Sequence, residues 1–346
     1  MLKKITYLTP FSAIDLLRLS LALPLLTLAA CSSTPVIEQT NSFHETTMTD
    51  HIHNISNNHI LTGPLKVLSL NIAHGRKDGF NQILISNKTI VNNLNDIAST
   101  LKQSDADIIA LQEADGPSRW SGNINHVSEL AKQADYPWHC RSGHARSWLF
   151  DYGTALLSQG YFVEAIGHSF EPTPPTTTKG FILGQLAWRP HENSQTTILI
   201  DIISVHLDFS RKKVRQQQIT EIVEVLKNRH NPVILLGDFN SDWLAEDSVV
   251  AELSRRSRIH SYHPQAENLG TYKSGKRRLD WILISSDLEF KNYAVLPDIL
   301  SDHNAVVAEI GLNGSAAPKS FEINKLTTRI KQCKGEVSCN TCKSLH

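Results

Sequence analysis

The sequence has no excess of charge of either sign. Its 346 residues carry 34 basic and 34 acidic side chains, and the pI is about 7.3. Proteins that bind nucleic acid through bulk electrostatics usually present a broad basic surface. The sequence therefore gives no general electrostatic signal for such a partner, and the substrate has to be inferred from individual motifs.

The apolar run near the N-terminus is too short to span a bilayer. Lys3 and Lys4 give a basic start, and the uncharged stretch 19–30 ends in small residues before Cys31, which is typical of a secretory signal. The string Leu28-Ala-Ala-Cys31 resembles the bacterial lipoprotein box, in which the cysteine becomes the acylated first residue. We therefore expect a signal peptide at 1–30, lipidation of Cys31, and an extracytoplasmic protein anchored to a membrane, with Ser32 compatible with the outer membrane. A plain cleaved signal peptide is the alternative.

Cysteine is scarce, with five residues in the chain. Besides Cys31 there are Cys140, Cys333, Cys339 and Cys342, and an oxidising compartment permits disulfides among these four. Three pairings stay open. A zinc site at the C-terminal cysteines lacks a clear fourth ligand, so the sequence favours a disulfide-stapled tail. Loss of residues 1–30 leaves 31 basic and 33 acidic side chains, a formal charge of −2, which disfavours a nonspecific DNA-binding protein.

The hydrophobic pattern predicts a flexible tether at 31–63, one domain at 64–312 and a peripheral tail at 313–346. Two amphipathic helices are predicted from apolar residues at helical spacing, namely Ile90, Leu94, Ile97 and Leu101, and Val214, Ile219, Ile222, Val223 and Leu226. Short apolar runs predict strands at 66–72, 108–111, 155–158, 181–188, 197–206, 233–236, 279–285 and 305–310. Many strands with few helices favour two sheets faced by helices over a doubly wound nucleotide-binding fold.

Polar residues recur where these apolar runs end. They are Asn71, Glu113, His206, Asp238 with Asn240, Asp280, and Asp302 with His303. Strand ends of a layered fold can bring side chains to one cleft. Each residue alone has an ordinary structural interpretation: a turn-forming asparagine, a solvated glutamate, a core histidine or a helix cap.

Together these residues form six motifs in a fixed order: Leu-Asn, Leu-Gln-Glu, Ser-Val-His, Gly-Asp-Phe-Asn, Leu-Asp-Trp-Ile and Ser-Asp-His-Asn-Ala-Val. In this order the chain, over about residues 64–312, resembles the endonuclease/exonuclease/phosphatase superfamily. That superfamily includes pancreatic-type deoxyribonucleases, abasic-site endonucleases, inositol-phosphate phosphatases and bacterial sphingomyelinases. The resemblance implies an α/β fold, a four-layered α/β/β/α sandwich of the deoxyribonuclease-I-like type, and dependence on Mg²⁺ or Mn²⁺.

The resemblance also implies roles for these residues. Glu113, Asn71 and Asp302 are expected to bind the metal, which neutralises an anionic phosphate ester. Asp238 is expected to take a proton from the attacking water, with Asn240 positioning it. His206 and His303 are expected to donate hydrogen bonds to the phosphoryl oxygens, and Asp280 to hold His303 in its donating form.

Substrate contacts are less specifically indicated. Arg119, beside Trp120, follows the predicted metal-binding strand, and Tyr272 precedes Asp280 together with Lys276, Arg277 and Arg278. We expect Arg119 and Tyr272 to contact substrate. A surface arginine and a solvated hairpin tip are the structural alternatives.

The sequence thus predicts a metal-dependent hydrolase of phosphate esters, most simply a monomeric phosphodiesterase. Its substrate is either a nucleic acid or a phospholipid headgroup. The near-neutral charge disfavours the nuclease, and no exposed aromatic hairpin is evident in the sequence to support the lipid enzyme. A catalytically inactive surface lipoprotein that uses the same scaffold for binding is the alternative from another class.

Overall fold

Two β-sheets lie face to face, and helices pack on their outer faces. The computed structural model describes residues 36–41, 59–321 and 342–344, apart from 80, 81, 83, 84, 192, 194, 195 and 274. The strands of the first sheet are β1 (Val36–Asn41), β3 (Leu65–Asn71), β4 (Ile108–Gln112), β5 (Trp138–Arg146), β6 (Asp151–Ser158), β13 (Leu288–Val295) and β14 (Val306–Leu312). Their order across the sheet is β1-β5-β6-β4-β3-β14-β13.

The strands of the second sheet are β2 (Leu61–Thr62), β7 (Phe162–Ser169), β8 (Gly180–Arg189), β9 (Ile198–His206), β10 (Val233–Asp238), β11 (Ile259–Ser261), β12 (Asp280–Ser285) and β15 (Cys342–Ser344). Their order is β11-β12-β10-β9-β8-β7-β15, and β2 pairs with β8 beside this path. Apolar side chains from the inner faces of both sheets form the central core, among them Val67, Ile108, Ile202, Ile234 and Ile282. Most of these strands are buried on both faces, which explains their continuous apolar runs.

The helices cover the two outer faces. On the first sheet lie α1 (Asn87–Ser104) and α2 (His126–Gln133), and on the second lie α3 (Lys212–Lys227) and α4 (Val249–Ser257). Helix α1 begins where the Ser86 hydroxyl accepts a hydrogen bond from the Thr89 amide, and it ends at Asp105 in a left-handed conformation. Its predicted apolar stripe is buried against the first sheet. The four-layered α/β/β/α sandwich is therefore confirmed.

Strands rich in polar residues differ from the sequence prediction. Strand β6 begins at Asp151 rather than at residue 155, and β5 was not predicted. These two strands are paired, and their polar residues are buried because the Arg141 guanidinium binds the Asp151 carboxylate at 2.7 Å. An internal ion pair of this kind hides a strand from a search for alternating apolar residues.

Short strands also occur in both segments predicted to be peripheral. Strand β1 lies inside the predicted tether and pairs with β5, while β15 lies inside the predicted tail and pairs with β7. Pairing of this kind uses backbone groups, which polar sequences supply as readily as apolar ones. The domain boundaries themselves stay a prediction.

Several predictions fall outside the described residues. They are the signal peptide at 1–30, the lipidation site Cys31, and Cys333 and Cys339 of the tail. Cys140 is buried in the central core between the two sheets. No helix in the described part of the chain is long and apolar enough to cross a membrane.

Candidate active site

Side chains singled out in the sequence meet at one edge of the sandwich. Strands β3 and β4 run parallel, as do β9 and β10, so their carboxyl ends share an edge. Strands β12 and β14 run antiparallel to these neighbours and begin at the same edge. The two sheets are joined there by a hydrogen bond of 3.0 Å from Asn71 Nδ2 to Asp238 Oδ2. The edge carries Asn71, Glu113, His206, Asp238, Asn240, Asp280 and His303.

The Gly-Asp-Phe-Asn motif holds Asp238 at the centre of this edge. Gly237 has φ of +147°, and a Cβ atom there would overlap the Val205 carbonyl of β9, so only glycine allows the two strands to approach. Asn240 adopts the left-handed conformation that asparagine tolerates. Its backbone amide donates to Asp238 Oδ1 at 2.9 Å, and its side-chain amide donates to Asp238 Oδ2 at 3.2 Å. The carboxylate is thereby fixed in orientation.

Two imidazoles flank this carboxylate. Asp238 Oδ2 lies 3.5 Å from His206 Nε2 and 3.8 Å from His303 Nε2. Burial is the largest influence on Asp238 and raises its pKa to about 7, although His303 acts in the opposite direction. A carboxyl group with a pKa near neutrality can take up a proton and release it again at physiological pH.

His303 is held by a buried carboxylate. Its Nδ1 lies 2.8 Å from Asp280 Oδ2, which also accepts a hydrogen bond of 2.6 Å from the Thr271 hydroxyl. Burial alone would lower the pKa of His303, but Asp280 and Asp238 outweigh it and raise the pKa to about 10. His303 is therefore an imidazolium at neutral pH and donates from both ring nitrogens. The contact predicted between Asp280 and His303 is present in the structure.

His206 is uncharged, unlike His303. Burial lowers its pKa well below the usual range, and Lys179 adds to this effect. Its Nε2 lies between two carboxylates, 3.9 Å from Glu113 Oε1 and 3.5 Å from Asp238 Oδ2. A neutral imidazole at this position can donate one hydrogen bond into the cleft.

Glu113 is surrounded by cationic side chains that the sequence did not reveal. Its Oε2 lies 3.2 Å from His74 Nε2, and its Oε1 lies 4.0 Å from Lys179 Nζ. Burial would raise the pKa of Glu113, but His74, Lys179 and Arg76 lower it well below its usual value. Glu113 is therefore ionised. Arg76 also extends to the predicted metal ligand Asp302, with 3.0 Å between Nη2 and Oδ2.

His74 was missed because a histidine in a loop gives no periodic signal. Its Nδ1 lies 2.8 Å from Asp115 Oδ1, and its ring packs on Tyr152 with 4.1 Å between centroids. Both nitrogens face carboxylates, which only accept hydrogen bonds when ionised. Burial would lower the pKa of His74, but Asp115 and Glu113 raise it. His74 therefore holds Glu113 in a fixed orientation.

The predicted substrate-binding residues lie in different environments. Tyr272 lies at the site, with its ring centroid 4.7 Å from that of His303. Arg119 is exposed, and its guanidinium lies 5.5 Å from the ring centre of Trp148. Trp120 packs against Phe150.

Arg278 differs from both sequence interpretations, because it neither faces the cleft nor lies on a solvated hairpin tip. It is buried, and its guanidinium donates to the backbone carbonyls of Tyr262 and His263 and to the hydroxyl of Tyr293. Lys276 and Arg277 are exposed on the hairpin that Tyr272 begins. The hairpin thus combines a buried anchor with an exposed cationic tip.

Two groups of side chains offer donors for a divalent cation. Donor atoms of Asp238, Asp280 and His303 all lie within 4.8 Å of one another, close enough to hold a metal ion. However, a protonated His303 has no lone pair to offer. The predicted group of Glu113, Asn71 and Asp302 supplies oxygen atoms, which Mg²⁺ prefers. Glu113 is ionised, although His74 and Lys179 already lie near its oxygens, and the oxygen donors of this group fit the ion better than a protonated imidazole does.

Comparison with solved structures shows what this fold is similar to. A protein of the endonuclease/exonuclease/phosphatase group from Beutenbergia cavernae superposes with a TM-score of 0.58 at 17% identity, covering 74% of each chain. The mannosyl-6-phosphatase of Bacteroides thetaiotaomicron gives 0.52 at 18% identity, covering 71% of this chain and 99% of that one. TDP2 of D. rerio, solved with a single-stranded DNA product, gives 0.53 at 16% identity, covering 72% and 99%. At these identities the likeness shows the fold alone.

Sequence comparison gives the family directly. Curated proteins provide no match. The Endonuclease/Exonuclease/phosphatase family matches residues 68–303, a span that includes Asn71 at one end and His303 at the other. This span contains every side chain named at the edge described above. The chain belongs to the Endonuclease/Exonuclease/phosphatase family.

Proposed function

We propose that this member of a phosphoester-hydrolase family is a phosphodiesterase that depends on a divalent metal and acts outside the cytoplasm. One observation carries the proposal: a buried Asp238, with a pKa near 7, lies between a neutral His206 and a charged His303. Beside them lies an ionised Glu113. Groups with such divergent protonation states are those that acid–base chemistry at neutral pH requires.

The side chains divide the reaction between them. Asp238 accepts a proton from the attacking water, which forms a bond to phosphorus as the bond to the leaving oxygen breaks. His303 and His206 donate hydrogen bonds to the phosphoryl oxygens, where negative charge grows in the transition state. Asn240 and Asn71 keep the Asp238 carboxylate in the orientation that in-line attack needs. Asp280 positions His303.

Glu113, Asn71 and Asp302 would hold Mg²⁺ or Mn²⁺. When bound, the ion supplies positive charge that neutralises the phosphate and stabilises the leaving oxygen. Lys179 and Arg76 add fixed positive charge on the same side of the cleft. An anionic ester is therefore attracted to the site from several directions.

The cellular part of the proposal rests on the N-terminal sequence. We take residues 1–30 as a signal peptide and Cys31 as the acylated residue, so that the enzyme is attached to a membrane outside the cytoplasm. We also propose that it is a monomer. Labelling with a radioactive fatty acid tests this assignment: Cys31→Ser abolishes incorporation, whereas Cys140→Ser leaves it intact. Equal labelling of both variants contradicts the anchor.

Hydrolysis of a soluble bis-aryl phosphate tests the catalytic part. Every described element lies beyond residue 35, so residues 31–346 carrying Cys31→Ser contain the whole described fold. With Mg²⁺ or Mn²⁺ this chain is expected to hydrolyse the diester, and Glu113→Gln to lower kcat/KM by about a hundredfold or more. Glu224→Gln, on the exposed face of α3, is the matched control.

Two results would contradict the proposal. Activity unchanged by EDTA, or by Glu113→Gln, rules out the metal-dependent mechanism. No hydrolysis of the bis-aryl phosphate, DNA, RNA or sphingomyelin favours instead the inactive surface protein that binds through the same scaffold.

A further inference from the structure

Large apolar side chains are exposed around the active-site edge. Among the described residues, the exposed large hydrophobics are Trp148 at 65%, Phe209 at 64%, Ile299 at 61%, Leu244 at 57% and Val91 at 39%. Val91 lies on helix α1. The other four, here called the apolar rim, lie on loops at the edge that carries the site. Large exposed apolar side chains on one edge indicate a surface that meets another protein or a membrane.

Each rim residue is close in sequence to a residue of the site. Phe209 follows His206 by three positions, Leu244 follows Asn240 by four, and Ile299 precedes His303 by four. Trp148 lies in the turn between β5 and β6. Strand β6 is antiparallel to both β4 and β5, so β5 ends at the same edge as β4, which leads into Glu113.

Contacts connect the Trp148 turn to the site. The Trp120 amide donates to the Leu149 carbonyl at 3.0 Å. Phe150 stacks on Tyr152 with 4.6 Å between centroids, and Tyr152 packs on His74, the partner of Glu113. These ring contacts run from Phe150 in the turn to His74 at the site. The turn that carries Trp148 is therefore anchored beside the His74–Glu113 pair.

An open groove leads from the site toward the rim. It has a volume of about 910 Å³, and its lining includes the polar side chains of Arg76, Tyr272 and Asp302 and the apolar side chains of Leu296, Pro297 and Ile299. A lining of both kinds matches an amphiphilic molecule that carries a phosphate group.

Charge at this edge is mixed. The hairpin that begins at Tyr272 presents Lys273, Lys276 and Arg277 to solvent, whereas Glu246 and Asp298 flank two rim residues. Leu244 and Ile299 have neither a charge for phosphates nor a flat ring for stacking on bases, so they add neither phosphate contacts nor base stacking to nucleic-acid binding. They do gain free energy when buried at the boundary of a lipid bilayer.

We propose that the active-site edge docks on a phospholipid bilayer and that the substrate is a phosphate ester headgroup presented at the bilayer surface. The inference rests on the proposed function and gives it a substrate class. The apolar rim inserts at the level of the headgroups, and the exposed cations of the Tyr272 hairpin face the lipid phosphates. Docking brings the groove over a lipid without removing its chains from the bilayer.

Vesicle co-sedimentation tests the proposal. Residues 31–346 with Cys31→Ser, which removes the predicted acylation site, are mixed with vesicles of phosphatidylcholine and with vesicles containing one part in five of phosphatidylglycerol. We expect binding to both, because apolar burial contributes more than the mixed charge. Replacing all four rim residues by serine is expected to lower the partition coefficient by about a hundredfold or more. Val91→Ser is the matched control and binds as the parent chain does.

Single variants and a soluble substrate separate membrane binding from catalysis. Phe209→Ser and Leu244→Ser are each expected to weaken vesicle binding, while hydrolysis of the soluble bis-aryl phosphate stays unchanged in both. Vesicle binding that is absent in the parent chain, or equal in the four-residue variant, overturns the proposal. DNA binding is measured in parallel. A four-residue variant that loses binding to DNA but keeps binding to vesicles overturns the proposal in favour of a nucleic acid. Failure of the proposed function is seen separately, as no hydrolysis of the soluble diester by the parent chain.

Discussion

Replacement of Asp280 by asparagine removes the negative charge behind His303 while keeping the shape of the side chain. Asp280 Oδ2 lies 2.8 Å from His303 Nδ1, and this carboxylate is the largest of the influences that raise the pKa of His303. The rise from the ordinary value of 6.5 to about 10 corresponds to roughly 5 kcal/mol in favour of the imidazolium, shared between Asp280 and Asp238. Without Asp280, less negative charge opposes the effect of burial, and the pKa of His303 falls.

The expected result is a large loss of kcat at neutral pH. A neutral His303 donates one hydrogen bond instead of two, and the amide introduced by Asp280→Asn can select the wrong tautomer, so kcat falls by roughly 10² to 10⁴. The raised pKa means that the parent chain keeps the imidazolium up to about pH 10. In the variant the pKa of His303 is lower, so the imidazolium is lost at a lower pH than in the parent chain. The ratio of parent to variant kcat is therefore expected to shrink as the pH falls from 9 to 5.

The assay is hydrolysis of the bis-aryl phosphate at saturating metal between pH 5 and 9, with circular dichroism to confirm folding. Asp201→Asn is the matched control, because Asp201 is also fully buried and paired but contacts Arg229 at the opposite edge. It is expected to lower stability and leave kcat of the folded protein unchanged. A folded Asp280→Asn protein that keeps more than half of the parent kcat refutes the role given to the pair.

Two further predictions concern Asp238 and its surroundings. The rate of the parent chain is expected to fall as the pH decreases below about 7, because the raised pKa of Asp238 leaves the base protonated in acid; a rate that does not change between pH 8 and pH 4 contradicts this. Gly237→Ala is expected to lower the free energy of unfolding by about 2 kcal/mol or more, because its Cβ overlaps the Val205 carbonyl. Urea denaturation measures it, and a stability equal to that of Gly314→Ala, whose Cβ meets no atom within 4 Å, contradicts it.

The layers of the fold followed from local pattern, and the missed strands show its limit. The stripe of Ile90, Leu94 and Ile97 predicted α1 because helical periodicity is a local property. Strand β5 was missed because its buried Arg141 reads as a surface residue until its partner Asp151, in the next strand, is known. A pattern along the chain records the polarity of a side chain but not the identity of its partner.

The residues of the site were predicted only in part. The order of motifs indicated Glu113, Asp238 and His303 through the resemblance to the family, and carboxylates and imidazoles suit metal-assisted hydrolysis of a phosphate ester. His74 and Lys179 were not found, because each contacts Glu113 from a different part of the chain. The charge states could be inferred only from the structure, because burial lowers the pKa of His206 and neighbouring carboxylates raise that of His303.

The sequence by itself determined the chemical inventory: carboxylates, amides and imidazoles at the ends of apolar runs, and the faces of the main helices. These are properties of residue type and short-range spacing. Only the tertiary structure decided that Asn71 and Asp238, 167 positions apart, share a hydrogen bond, and that four exposed apolar side chains surround the same edge. In the sequence Ser-Trp-Leu-Phe resembles any buried run, and Trp148 is exposed because the chain turns there between β5 and β6. Exposure and contact depend on which strands become neighbours, and chain topology sets that.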